Sequence, residues 1–325
     1  MIGEIHGLDE IANRLLPLWK VAVNDPATSF AMIRRLRAAV IGQHLRGVEI
    51  GQHYLDDFIT LPGREIPFRF YSADAGSEGP AIVYFHGGGW VSGNLDTHHG
   101  MCLLLREKLN GPVVSIHTRR APENPFPAQL EDALDAIAYL KGANGFLNLG
   151  SKGFFLAGDS AGAFTAFHAA LALGGRHRLM GLVLFYPALD PDTDKDSYRR
   201  YAEAPGLTAE TMHRYWDALL GKDQNLRAAL SLTAVTGLDH LPPTALLMAE
   251  HDPLRDDGTA LARMIEETGA PVVSLIAAGT THGFCRLVWH ETEARRWVVD
   301  ILEEFMKLQA SMSNRQLLKA NIHKK

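Results

Sequence analysis

Over most of its length the chain alternates short, wholly apolar runs with longer stretches of helical period. From Ala81 the alternation is regular. It predicts a strand at Ala81–Phe85, a helix at His98–Leu109, a strand at Pro112–Ile116 and a helix at Gln129–Leu140. A strand at Phe154–Ala157, a helix at Ala163–Leu173 and a strand at Gly181–Tyr186 follow. Beyond a polar excursion come Thr244–Ala249 (strand), Thr259–Glu267 (helix), Val272–Ala277 (strand) and Trp289–Leu308 (helix). Strands this apolar are buried on both faces, and helices of this length join parallel neighbours with right-handed crossovers. The pattern therefore predicts an α/β fold with a mostly parallel central sheet flanked by helices.

Three segments depart from that rhythm. Before the first strand, apolar residues recur at helical spacing in two runs: Leu8, Ile11, Leu15 and Leu18, then Phe30, Ile33, Leu36 and Val40. Asn24-Asp25-Pro26 separates the two predicted helices. Strand signals begin near Gly47, and Ile66–Tyr71 alternates most clearly. The excursion from Asp190 to about Asn225 carries Asp190, Asp192, Asp194 and Asp196 in calcium-loop order. Lys195 occupies the place of the required glycine and Tyr201 that of the terminal glutamate, so the expectation is a solvated loop leading into a Thr208–Leu220 helix. Ala310 to Lys325 reads as a frayed tail.

With 46% hydrophobic and 21% charged residues the 325-residue chain has the balance of an ordinary globular protein. Its net charge of −5 and lack of a basic block argue against nucleic acid and anionic membranes as partners. The first ten residues carry acids where a signal peptide needs positive charge, and no apolar run reaches membrane-spanning length. Cys102 and Cys285 form neither a disulfide framework nor a metal motif. The expectation is a cytoplasmic protein with no cofactor and no metal; the sequence leaves a homodimer open.

Candidate chemistry sits where strands end. Phe154–Ala157 runs into Gly158-Asp159-Ser160-Ala161-Gly162 and then directly into a helix, the context in which Gly-x-Ser-x-Gly forms a nucleophile elbow. A serine on so sharp a turn is strained, and small neighbours make room for it. A serine hydroxyl needs a base, and the base needs an acid to hold its tautomer. Two late strands end in suitable residues: Thr244–Ala249 leads to Asp252 and Val272–Ala277 to His282. Glu250 is the nearest rival acid, while Asp256 and Asp257 read as first-turn charges of the following helix. His98, His99, His177 and His290 follow no late strand. Directly after Ala81–Phe85 comes His86-Gly87-Gly88-Gly89-Trp90, whose glycines let backbone N–H groups approach a reacting carbonyl as an oxyanion hole. A phosphate loop is the rival reading, but Ser92 replaces its third glycine and no lysine follows.

These motifs, together with Arg119-Arg120-Ala121-Pro122-Glu123, Pro125-Phe126-Pro127-Ala128, Asp252-Pro253-Leu254-Arg255-Asp256 and His282-Gly283-Phe284, resemble the hormone-sensitive-lipase-like family of α/β-hydrolases, in its bacterial carboxylesterase branch. The resemblance implies an α/β-hydrolase fold with nucleophile Ser160, acid Asp252 and base His282. It implies oxyanion donors from the backbones of Gly87, Gly88 and Ala161. His86 holds the loop, with Gly89 and Asp159 as further motif residues. It also implies a helical cap of residues 1–55, joined by 190–225, over a catalytic domain of residues 56–325. Thr118, Arg120 and Ala163 depart from the usual pattern at positions off the chemical centre. The implied activity is hydrolysis of short-chain esters, small-molecule substrates, through an acyl-enzyme. An amide or lactone substrate stays open for the same machinery, and so does a non-catalytic receptor of this fold, whose mark would be loss of the triad histidine.

Overall fold

Eight strands form one sheet in the order β1-β2-β4-β3-β5-β6-β7-β8 in the computed structural model, which describes residues 29–35, 54–77, 79–142, 153–175, 178–290 and 293–322. β1 (Tyr54–Leu61) and β2 (Arg64–Tyr71) pair antiparallel, and β2 runs antiparallel to β4 (Val113–Ile116). The other strands are parallel: β3 (Ala81–Phe85), β5 (Phe154–Asp159), β6 (Leu179–Phe185), β7 (Thr244–His251) and β8 (Val272–Thr281).

Side-chain alternation along the central strands builds two cores. In β3, Val83 and Phe85 face a layer formed by α2 (Ala128–Lys141), α3 (Ala161–Leu173) and α7 (Arg255–Thr268), where Ile137, Phe167 and Ile265 are buried. Ile82 and Tyr84 face the opposite layer of α1 (His99–Leu109) and α8 (Glu293–Ile322), with Leu105, Ile301 and Phe305. Both faces are covered, which is why these strands carry almost no polar residue. β1 escapes the sequence pattern because it is an edge strand with most of its residues exposed, and Asp56 and Asp57 sit on it without burial.

A third apolar cluster lies at the carboxyl ends of the strands. Trp90, Phe164, Tyr198, Tyr215 and Trp216 are buried there, with Trp90 and Trp216 rings 4.5 Å apart. Its outer members come from the excursion, which folds into α4 (Asp196–Arg200), α5 (Ala209–Leu220) and α6 (Gln224–Ala229). α5 is the helix expected at Thr208–Leu220, while the segment before it departs from the expected solvated loop. Asp194 and Asp196 are exposed, but Asp190 is buried against Lys195 Nζ at 3.1 Å. Lys195 Nζ also meets the fully buried Asp257 at 2.5 Å, and Asp257 accepts from the N–H groups of Leu189 and Asp190. Asp256 accepts from Ser197 N at 2.8 Å. The two aspartates at the start of α7 thus tie the excursion down, beyond the helix-start role expected of them.

The predicted N-terminal helices fall mostly outside the described residues: Leu8, Ile11, Leu15, Leu18, Leu36 and Val40 all do. Residues 30–35 are helical, with Ile33 buried and Phe30 against the third cluster. Arg34 anchors them, donating to the carbonyls of Val91 (2.5 Å) and Ala121 (3.0 Å) and pairing with both oxygens of Glu123. At the other end, Trp289 belongs to a 3-10 turn (Phe284–His290), and α8 begins at Glu293. The frayed tail is a second correction, because α8 continues to Ile322. No helix among the described residues is long and apolar enough to cross a membrane.

Candidate active site

Ser160 sits between β5 and α3 with φ 53° and ψ −119°, a conformation non-glycine residues rarely adopt. The turn is held by Ser160 N–H donating to the Phe185 carbonyl at 2.9 Å. It is also held by close backbone approach. A Cβ on Gly158 would lie 2.5 Å from the Gly162 carbonyl oxygen, and one on Gly162 would overlap the Phe85 carbonyl. Only glycine lets α3 start so near β3, and that nearness brings the elbow beside the glycine loop.

β7 and β8 deliver the other two residues. Asp252 is fully buried one residue past β7; its Oδ1 accepts from Leu254 N at 2.9 Å. His282 follows β8, with Nδ1 2.7 Å from Asp252 Oδ2 and Nε2 2.9 Å from Ser160 Oγ. The carboxylate can only accept, so Nδ1 carries the proton and Nε2 is left to accept from the serine hydroxyl. The Tyr186 and His282 rings pack edge to face with centroids 4.8 Å apart, which limits rotation of the imidazole. The rival acids are engaged elsewhere: Glu250 accepts from Gly279 N at 2.8 Å and is half exposed, while Asp256 and Asp257 hold the excursion. His177 lies outside the described residues, and His99 contacts the Tyr71 hydroxyl at 2.9 Å.

The glycine loop differs from the expectation at one residue. Gly87 N–H donates to Asp159 Oδ1 at 2.7 Å. Gly88 and Gly89 line the cavity over Ser160, with φ of 136° and 62°. The expected donor Gly87 is therefore corrected: its amide is engaged by the elbow aspartate. Asp159 is a buried hub, also accepting from Tyr84 Oη at 2.7 Å, His98 Nε2 at 3.2 Å and Tyr186 Oη at 3.4 Å. Burial pushes its carboxyl up, but His98 and the bonds from Tyr84 and Gly87 outweigh this and hold it below the usual carboxylate range. His86 braces the loop from behind. Its Nδ1 donates to the Gly87 carbonyl at 2.9 Å, so Nε2 accepts from His117 Nδ1 at 2.8 Å. Burial and the neighbouring histidines push His86 well below its ordinary pKa, and burial with Arg120 takes His117 down to about 4, so both rings stay neutral.

Residues 82–286 match the family described as alpha/beta hydrolase fold. The chain belongs to that family. Within it, the hydrolase falls in the hormone-sensitive-lipase-like branch of carboxylic ester hydrolases. It is 32% identical to an ethyl acetate hydrolase of Pseudomonas putida over 75% of this chain and 79% of the relative. It is also 32% identical to the carboxylic ester hydrolase LipN of Mycobacterium tuberculosis, over 85% of this chain and 74% of the relative. Among solved structures, a hyperthermophilic esterase from Pyrobaculum calidifontis superposes with a TM-score of 0.79 at 28% identity, covering 93% of this chain and 98% of that one.

Several residues at the hydrolase's site carried no sequence signal. His98 opens a helix in the sequence and lines the cavity in the fold, because the crossover after β3 brings it over Asp159. Tyr215 and Leu207 reach the same cavity from the excursion. The tyrosine ring occupies the space a Cβ on Gly89 would need, a packing reason for glycine there. Arg119, part of the family motif, is structural: its N and Nε bind Asp132 and tether α2. Among the described residues no three His, Cys, Asp or Glu side chains gather as a metal site.

Proposed function

We propose that this hydrolase cleaves short-chain carboxylic esters through an acyl-enzyme. Ser160 Oγ attacks the ester carbonyl while His282 Nε2 takes its proton, and Asp252 holds the imidazole and stabilises the cation that forms. The tetrahedral oxyanion receives N–H groups of Gly88, Gly89 and Ala161. His282 then protonates the departing alcohol, and a water activated by the same Nε2 hydrolyses the acyl-enzyme. The observation that carries this reading is the unbroken relay from Ser160 Oγ through His282 to Asp252, at 2.9 and 2.7 Å.

Two features support a short acyl group and a small substrate. The cavity over Ser160 is small and partly enclosed, so longer acyl chains need larger displacements of its walls. Its outer wall comes from Gly206, Leu207 and Tyr215. We read residues 1–55, of which Phe30 packs against the third cluster, joined by 190–225, as a cap over a catalytic domain of residues 56–325. The test is kcat/KM across 4-nitrophenyl esters of rising chain length, with Ser160→Ala as control. We expect acetate to butyrate to be preferred and Ser160→Ala to lose roughly four to six orders of magnitude in kcat. A folded Ser160→Ala enzyme that turns over like the wild type ends the serine mechanism; a preference for long chains ends the short-chain assignment.

A further inference from the structure

Among the described residues, a cation faces the cavity without an ion pair. Arg286 follows His282 by four residues and lines the cavity together with Ser160 and His282. Its guanidinium lies against the Cα of Gly283, filling the space a side chain there would take, and so sits next to the relay histidine. Among the described residues its side chain makes one hydrogen bond, Nε–H to the Gly283 carbonyl at 3.2 Å, and no ion pair. Arg34, Arg69 and Arg119 are each held by a carboxylate within 3.0 Å; Arg120, like Arg286, has no ion pair among the described residues, but it does not line the cavity.

Neither Asp159, which lines the same cavity, nor Asp252, the relay acid, answers it. Asp159 is engaged by Tyr84, Gly87, His98 and Tyr186, and Asp252 by Leu254 and His282. A guanidinium carries five donors in a planar fork that matches a carboxylate. The donors left over stand at the wall of a small, partly enclosed cavity, where a charge-assisted bond is stronger than in bulk water.

We propose that Arg286 selects esters carrying a second, anionic group, a carboxylate on either the acyl or the alcohol part, and holds that group while Ser160 attacks. This rests on the ester-hydrolase reading above and adds the substrate class to it. Binding the remote carboxylate orients the scissile carbonyl, so the selection is expressed in kcat/KM.

The experiment compares matched pairs, corrected for spontaneous hydrolysis. 4-Nitrophenyl hemiglutarate against 4-nitrophenyl valerate places the anion on the acyl side. 4-Carboxyphenyl acetate against 4-methylphenyl acetate places it on the alcohol side. We expect the wild type to favour the anionic member of at least one pair, and the advantage to shrink as NaCl rises from 0.05 to 1 M. Arg286→Gln should lower that anionic-to-neutral ratio about 10- to 100-fold, the range for losing one charge-assisted hydrogen bond. Arg286→Lys, which keeps the charge but not the fork, should fall between. A wild type that hydrolyses the neutral esters but prefers them in both pairs, or a ratio that Arg286→Gln leaves unmoved, overturns the proposal and leaves the ester-hydrolase reading standing. Failure of the folded wild type on all four esters overturns that reading itself. Should Arg286→Gln not fold, the salt titration of the wild type decides: a salt-independent ratio overturns the proposal.

Discussion

Replacing Asp159 by asparagine tests whether the elbow aspartate positions the oxyanion loop. The carboxylate receives four donors, two on each oxygen: Tyr84 Oη and Gly87 N at 2.7 Å, His98 Nε2 at 3.2 Å and Tyr186 Oη at 3.4 Å. An amide offers one accepting oxygen. Its best orientation keeps the two short bonds and turns the NH2 toward His98 and Tyr186, which must then reorient to accept. The charge assistance on the retained bonds is lost, and we expect about 2–3 kcal/mol of stability to go with it. Asp159→Leu is harsher because Gly87 N–H is left buried without an acceptor. If Gly87 is what aims Gly88 and Gly89, kcat for 4-nitrophenyl acetate should fall about 10-fold in Asp159→Asn and roughly 10²- to 10³-fold in Asp159→Leu, the range for an oxyanion donor, with KM little changed. The pH dependence has a definite sign. A carboxyl held below its ordinary range contributes stability above pH ~4 and loses it as pH falls further. The urea-unfolding deficit of Asp159→Asn should therefore be larger at pH 7 than at pH 3. A folded Asp159→Leu enzyme with wild-type kcat refutes the positioning argument, as does a deficit that grows toward acid.

Two further outcomes follow from the same geometry. Asp252→Asn should lower kcat by about 10³-fold or more by favouring the wrong His282 tautomer, whereas Glu250→Gln should leave it within a few-fold; the reverse ranking in steady-state kinetics would reassign the acid. Lys195→Met strands the buried Asp257 carboxylate beside Asp190 and should cost about 3–5 kcal/mol, with Lys195→Met/Asp257→Asn recovering most of it. Burial already lifts the Asp257 carboxyl to about 6 against the pull of Lys195 and the backbone N–H groups. Its contribution therefore weakens as pH rises through that value, and the Lys195→Met deficit should be greater at pH 8 than at pH 5; a pH-independent deficit would show that Asp257 does not carry the loss.

The central strands were legible in the chain because burial on both faces forces an unbroken apolar run, and the crossover helices because they must bury one stripe. β1 was not: half of an exposed edge is free to be polar. The elbow, the acid and the histidine could be located as candidates because a doubly wound sheet puts chemistry just past strand ends, and each follows a strand directly. Which N–H of three successive glycines turns toward a reacting carbonyl has no sequence signal. It depends on Asp159, 72 residues from Gly87, reaching that amide first. The same holds for Lys195 meeting Asp257 across 62 positions, and for an excursion that looked solvated because its exposed aspartates outnumber its buried one. Backbone propensity and hydrophobic period are local and leave a trace in the chain. The partner of a buried charge is chosen by whichever groups the packed layers bring within reach, and only the tertiary structure decides that.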